Sequence, residues 1–275
     1  MLSVIMSGLK VAQKDLAVTA NNLANSGTIG FKRSDANFVD VFASDPSSDP
    51  KTQVGSGAIA DIVQRSMTQG AMTTTDRVTD LAIAGRGFFV LSAPLEEGGD
   101  PADAGKMYTR AGNFGINASG AVVDGVGNQL MVFESDDAGV INQESLVGAS
   151  IPSRNEAGAL LQGISISSKG VVEARYADDS VLNVGVVALA SFPNDGALKA
   201  IGGSKFIASG ESGAAVYTPP GAPSAGDLLS ATLEEANVDI TQELMGMLRA
   251  QQIYNGNARM LQAAMEVASR ITDKL

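Results

Sequence analysis

Apolar positions at the two ends of the chain recur with a period that the middle lacks. Near the N-terminus, Ile5, Leu9, Ala12, Leu16, Thr19 and Leu23 follow a 4-3-4-3-4 spacing, and five of the six are apolar. That is a heptad seam along one helix face. It stops at Asn25-Ser26-Gly27, residue types suited to a helix C-cap and the turn after it. At the other end, Asp239-Ile240-Thr241-Gln242 reads as an N-cap with Gln at the third helical position. The same spacing there gives Ile240, Leu244, Met247, Gln251, Tyr254, Ala258, Leu261, Met265, Ala268, Thr272 and Leu275, nine of the eleven apolar and none of the segment proline. Such a helix extends roughly 50 Å at about 1.5 Å per residue.

Between the ends, short β-like runs alternate with turn signals. Gly87-Phe88-Phe89-Val90-Leu91, Met107-Tyr108-Thr109-Arg110, Gln129-Leu130-Met131-Val132-Phe133 and Val184 to Leu189 read as strands. Asn117-Ala118-Ser119-Gly120, Asp124-Gly125 and Ser167-Ser168-Lys169-Gly170 read as hairpin turns. Asp45-Pro46-Ser47-Ser48-Asp49-Pro50 and Thr218-Pro219-Pro220-Gly221-Ala222-Pro223 read as solvated linkers. The pattern predicts an α+β chain, mostly β. Its parts are an N-terminal helix within residues 1–30, an extended linker region over 31–77, a central β-rich domain over 78–217, a linker over 218–236 and a C-terminal helix within 237–275. Helical seams at opposite ends, outside the globular part, must be buried against each other, against a partner or against copies of the same chain.

Composition removes whole classes of chemistry. There is no cysteine and no histidine, so thiolate nucleophiles, disulfides, the commonest zinc ligands and the usual neutral-pH base are absent. The formal charge of −11, from 19 basic and 30 acidic residues, gives no basic face for nucleic acid or an anionic membrane. No apolar run approaches the roughly 20 residues needed to span a bilayer. The N-terminus also lacks the basic start and uninterrupted apolar core of a cleaved signal, since Gly8 and Lys10 follow closely on Val4-Ile5-Met6.

The remaining candidates for chemistry have plainer readings. Gly85-Arg86-Gly87 runs into a β-like segment, where a dinucleotide loop must open a helix. Asp136-Asp137 and Asp178-Asp179 lie among turn residues and read as loop tips. Asn117-Ala118-Ser119 matches a glycosylation sequon, but the Gly120 that follows marks it as a turn, and Lys32-Arg33 is a lone basic pair. No set of residues assembles a nucleophile, a base and an oxyanion hole, so the expectation is a non-enzyme without cofactor or metal.

The terminal segments carry a resemblance. Ser7 to Phe42 resembles the N-terminal signature of flagellar rod and hook proteins, with Asn21, Asn22, Leu23, Ala24, Asn25, Thr28, Gly30, Phe31 and Lys32 as the matching core. Asp80 to Leu91 and Tyr108 to Phe114 resemble that family's β-domain motifs, and Leu233 to Ala258 resembles its closing helix. The resemblance implies that the terminal helices pair as a coiled coil and line the channel of a tube through Ile5, Leu9, Ala12, Leu16, Leu23, Ile240, Leu244, Met247, Tyr254, Leu261, Met265 and Leu275. It also implies a homopolymer that meets flagellar rod and hook–filament junction proteins and the hook cap. Subunits would leave through the flagellar type III export apparatus without a cleaved signal, with no nucleic acid and no membrane insertion. Ser7-Gly8-Leu9, Asp40-Val41-Phe42-Ala43 and Ala231-Thr232-Leu233-Glu234 are more similar to hook proteins than to the distal rod. Only 30 residues, 134 to 163, connect Phe133 to Ile164, too few for the large outer domain of hook proteins. The expectation is a short hook subunit, with a distal-rod-like basal-body protein as the alternative. A secreted coiled-coil and β adhesin and a carboxylate-dependent hydrolase are further readings.

Overall fold

The computed structural model describes residues 2–42, 55–93, 105–135, 141–155 and 157–272. The chain divides into two units. Unit 1 comprises Met1–Ser26, Arg33–Ser66 and Val238–Leu275, and unit 2 comprises Gly27–Lys32 and Met67–Asn237.

Unit 1 holds two helices, α1 (Leu2–Ala24) and α2 (Ile240–Thr272), and an antiparallel hairpin of β1 (Ser34–Phe42) and β2 (Gly55–Arg65). Asp239 caps α2 through its Oδ1, which accepts the Thr241 N–H at 2.9 Å and the Gln242 N–H at 3.2 Å. At the other helix's end, the Asn25 side chain donates to the Asn21 carbonyl at 2.9 Å. Much of 31–77 therefore departs from the expected extended linker. The strand pattern there is hidden by register shifts between Ala36 and Phe38 and between Asp40 and Phe42, which break the alternation of apolar positions. The expected linker stretch Asp45 to Pro50, Asp136-Asp137 and Leu275 lie outside the described residues.

The hairpin lies along α1. The Ala58 N–H donates to Ser7 Oγ at 3.3 Å near one end, and Asn22 binds Ser34 near the other. Since Ala58 pairs with Asp40, about 20 Å of strand from Ser34 to Asp40 matches about 22 Å of helix from Asn22 to Ser7.

Unit 2 is built from short strands. In chain order they begin with β3 (Met72–Thr74), β4 (Leu81–Ala84), β5 (Phe88–Ser92), β6 (Lys106–Thr109), β7 (Gly115–Ile116) and β8 (Val122–Val123). Then come β9 (Gln129–Ser135), β10 (Ile141–Gly148), β11 (Leu161–Ile166), β12 (Val171–Tyr176), β13 (Val181–Val187) and β14 (Leu189–Ser191). The last are β15 (Lys199–Gly202), β16 (Lys205–Ile207), β17 (Val216–Thr218), β18 (Asp227–Ser230) and β19 (Thr232–Glu234). The main sheet follows the order β11-β12-β13-β9-β5-β6-β16-β15, while β18 pairs with β4 and β19 with β3. The segment expected as a second linker, 218–236, thus supplies two strands.

Alternation along β5 and β9 sends side chains into two separate cores. Phe89, Leu91, Leu130 and Val132 enter one, and Phe88, Val90, Met131 and Phe133 enter the other. Both faces are covered, which explains why these strands read as continuous apolar runs. Six of the nine phenylalanines of the chain are buried here, with edge contacts such as Phe89–Phe114 at 5.4 Å between ring centroids. No helix among the described residues is long and apolar enough to cross a membrane.

Candidate assembly surfaces and a buried ionic cluster

α1 and α2 run antiparallel. Asn22 meets Glu243, Thr19 lies by Gly246 and Gly8 lies by Asn257, so each step down one helix is matched by a step up the other. The contact is built from small side chains. Ala12 and Ala250 are the apolar residues of unit 1 that are buried among the described residues. A Cβ added at Gly8 would stand 2.8 Å from Asn257 Nδ2, so glycine is what permits that approach.

The expected seam residues divide between this contact and solvent. Ala12 is buried, and Ile5, Leu9, Leu16, Leu23, Met247 and Leu261 are half-buried. Ile240, Leu244, Tyr254 and Met265 are exposed, at 51, 41, 39 and 60%. The face of α2 turned inward carries Glu243, Gly246, Met247, Ala250, Asn257, Ala258, Leu261 and Ala264 instead. It shares Met247, Ala258 and Leu261 with the apolar frame but also takes the residue before the frame position at Glu243, Ala250, Asn257 and Ala264. Apolarity set the expected frame, whereas close approach selects small residues. The rest of the α2 surface is open too, exposing Met245, Leu248, Ile253, Met260, Val267 and Ile271. Leu2, Val4 and Met6 of α1 and Phe38, Val39, Ile59, Ile62 and Val63 of the hairpin are open as well. Among the described residues, eighteen of the twenty-seven exposed large apolar ones lie in unit 1. Apolar surface in that quantity marks an interaction face.

A polar set pins the three pieces of unit 1 together. Asn22 Nδ2 donates to the Ser34 carbonyl at 2.8 Å and to Glu243 Oε2 at 3.3 Å, while Asn22 Oδ1 accepts the Ser34 N–H at 3.0 Å. Arg33 reaches Glu243 at 3.5 Å and Asp35 at 2.8 Å.

Unit 2 contains a deeper ionic cluster around Glu234, whose side chain is fully buried. Lys32 Nζ lies 2.6 Å from Oε1 and Arg110 Nη1 lies 3.1 Å from Oε2. The Gly70 N–H also donates to Oε1, at 2.9 Å. Lys32 Nζ donates further to the Thr68 carbonyl at 2.7 Å, and Arg110 Nη2 to the Gly85 carbonyl at 2.7 Å. The guanidinium also stands over the Phe88 ring, 5.4 Å from its centroid. Two cations thus share one anion in a dry site. Burial pushes the Lys32 ammonium below its ordinary pKa, Glu234 opposes this, and Arg110 adds to it. Gly30 belongs to the same corner. It has φ of 65°, donates its N–H to the Glu234 carbonyl at 2.8 Å, and has no room for a Cβ against the Ala111 backbone. Phe31 offers its carbonyl to the Asn237 N–H at 3.4 Å.

Sequence reasoning named Gly30, Phe31 and Lys32 but gave no role to Arg110 or Glu234. Arg110 signals itself as a lone charge inside YTRAGNF, whereas Glu234 is masked by the adjacent Glu235. The other candidates fall where their plainer readings put them. Gly85-Arg86-Gly87 joins β4 to β5. Asn117 Oδ1 accepts three hydrogen bonds from Ser119 and Ala121 in an exposed turn. Asp178 lies in the turn after β12, where hydrogen bonds from Ser180 and Asn155 hold its carboxyl below the usual range.

Three family models match the chain. They are the flagella basal body rod protein model at residues 2–32, the flagellar hook protein FlgE/F/G D1 domain at 82–174 and the flagellar basal body rod FlgEFG protein C-terminal model at 229–274. Lys32, Arg110 and Glu234 each fall in a different one. The flagellar basal-body rod protein FlgG of Caulobacter vibrioides is 34% identical, over 94% of this chain and 92% of that protein. The FlgG of a Buchnera aphidicola subspecies, Baizongia pistaciae, is 30% identical over 98% of both. The flagellar hook protein FlgE of Treponema pallidum is 35% identical over 43% of this chain and 26% of its own length. This chain belongs to the flagellar basal-body rod and hook family and is a structural component of the flagellar axis.

Proposed function

We propose that the chain is a rod-type subunit that polymerises with copies of itself through the open apolar faces of unit 1. The observation that carries this reading is α2. Its large apolar residues Ile240, Leu244, Met245, Leu248, Met260 and Met265 stay exposed while the chain contains a well-filled core elsewhere. Helices in an array bury such faces against neighbours.

Rod rather than hook is favoured by the extent of similarity. FlgG proteins align with this chain almost end to end, whereas the hook protein FlgE aligns over about a quarter of its own length. The short connection from Phe133 to Ile164 points the same way. The earlier preference for a short hook subunit rested on local matches such as Ser7-Gly8-Leu9 and gives way to the full-length comparison. The neighbours of such a subunit are other rod proteins, and its delivery is through the flagellar export apparatus without a cleaved signal.

Electron microscopy of a strain lacking the gene tests the assignment. Loss of the rod together with everything beyond it is expected, and a complete rod lacking only its hook would restore the hook reading. Purified subunit tests the interface: Met265→Asp should abolish pelletable polymer while the β unit melts as in wild type. Normal polymer from this variant would remove α2 from the interface.

A further inference from the structure

The chain passes between its two units four times, at residues 26/27, 32/33, 66/67 and 237/238. Within unit 2, the residues beside all four passages are tied to one another. Gly30 donates to the Glu234 carbonyl, Lys32 binds both Glu234 and the Thr68 carbonyl, and Gly70 donates to Glu234. Asn237 closes the set, with its side chain donating to the Thr68 carbonyl at 3.0 Å and its N–H to Phe31.

We propose that Lys32 is a positioning residue for assembly, whose buried bond to Glu234 and Thr68 gathers the four passages and so holds the origins of α1 and α2 in register before any neighbour arrives. This rests on the polymerisation reading above, but the device itself belongs to a single subunit.

The charge arithmetic of the cluster separates this role from simple stabilisation. Glu234 is already neutralised by Arg110, which holds it at 3.1 Å and makes further bonds to the carbonyls of Gly85 and Ile83. Lys32 is the second cation on a single carboxylate. Removing its charge leaves a neutral, hydrogen-bonded pair, whereas removing the charge of Glu234 leaves two cations facing each other in a dry site. Loss of Lys32 gives up its attraction to Glu234 but also removes its desolvation cost and its repulsion from Arg110, so its net effect on the stability of the β unit is small. What Lys32 adds is location. The ends of α1 and α2 are separated by more than 200 residues of chain; β3–β19 pairing and the Gly30–Glu234 and Asn237–Phe31 bonds close that loop within unit 2, and Lys32 adds the side-chain tie that fixes the corner. With the passages clasped, α1 and α2 meet at a high effective concentration. The neighbouring residue extends the arrangement, because Arg33, next in sequence, binds Glu243 and Asp35 within unit 1. The Lys32-Arg33 pair therefore engages an anchor on each side of one peptide bond.

The absence of cysteine makes the test direct. Ala24→Cys and Thr241→Cys, both at exposed positions of unit 1, accept spin labels at two unique sites of the full chain. Their distance distribution is measured by pulsed electron resonance in dilute monomer, in the wild-type background, with Lys32→Met and with Glu234→Gln. Melting of the β unit is recorded for each. The expected result is one narrow distribution in the wild-type background that broadens several-fold with Lys32→Met, while β-unit melting stays within a degree or two. Glu234→Gln should lower that melting markedly. A narrow distribution that survives Lys32→Met overturns the proposal, and so does a broad one in the wild-type background. A fall in melting with Lys32→Met as large as that with Glu234→Gln overturns it too, by making Lys32 a structural stabiliser. Because the readout is monomeric, failure of the chain to polymerise counts against the proposed function alone.

Discussion

Phe88 and Phe89 stand side by side on one strand of the β unit, and each is wholly buried in a different core. Ile240 and Leu244 stand one turn apart on α2, and 51% and 41% of their surface is exposed. The two units also differ in charge: unit 1 has nine basic and ten acidic residues, and unit 2 has ten and twenty. The β unit thus fills two cores of its own and carries nearly all of the chain's acidic excess. The helical unit is nearly neutral and leaves its large apolar residues open. Within one chain, one unit fills its own cores and the other exposes the apolar surface through which the proposed polymer would form.

The largest way to break that contrast is to empty the β unit from inside. Glu234→Gln should cost about 3–5 kcal/mol by stranding Lys32 and Arg110, and Phe89→Ala should cost a similar 3–5 kcal/mol by leaving a cavity. Calorimetry of the β-unit transition checks both, and an unchanged melting temperature for either would contradict the burial described here. An intermediate effect is expected in the helical unit from Asn22→Ala. It removes the paired bonds to Ser34 and the bond to Glu243, a loss of about 1–3 kcal/mol. Faster amide exchange confined to unit 1 would bear this out, while faster exchange throughout the β unit would show the units to be one cooperative body. A smaller effect concerns acid. Burial raises the pKa of Asp124, but hydrogen bonds from Asn128 and Lys205 outweigh it and hold the carboxyl below its ordinary 3.8. Stability from this carboxylate is complete above that ordinary value and is lost as pH falls through the folded one. Asp124→Asn should therefore flatten the acid limb of β-unit melting below about pH 4, and an identical limb in both proteins would rule the carboxylate out. The smallest effect sharpens the comparison most. Met265→Ala should change the stability of dilute subunit by less than about 0.5 kcal/mol, as exposed positions do, and yet raise the concentration needed for polymer. Equal polymerisation would place Met265 outside the interface.

Both helices, the Asp239 cap and the runs that became β5, β6 and β9 were legible because each rests on a local period or a local turn. The hairpin was not, since its two register shifts erase the alternation that marks a strand, and its Asp and Asn residues suggested solvent. The inward face of α2 was only half legible. An apolar frame of 4-3 spacing finds the open residues, Ala12 and the shared Met247, Ala258 and Leu261, but Gly8 and Ala250 declare their closeness only once the helices are paired. The ionic cluster was the least legible. Lys32, Arg110 and Glu234 lie 78 to 202 residues apart, and nothing local says that three scattered charges meet in a dry site.

The two-stranded ribbon of β1 and β2 has no third strand on either side among the described residues. Asn22 and Ser7 of α1 meet the backbone at Ser34 and Ala58, while Phe38, Val39, Ile59 and Ile62 stand exposed along the ribbon, a combination prone to recruit an extended peptide nearby. Such an edge is a hazard of misdirected stacking, and the hazard grows with the number of folded copies waiting to assemble. A cell that makes this protein has reason to limit that waiting time, either by folding the ribbon late or by keeping the free pool small.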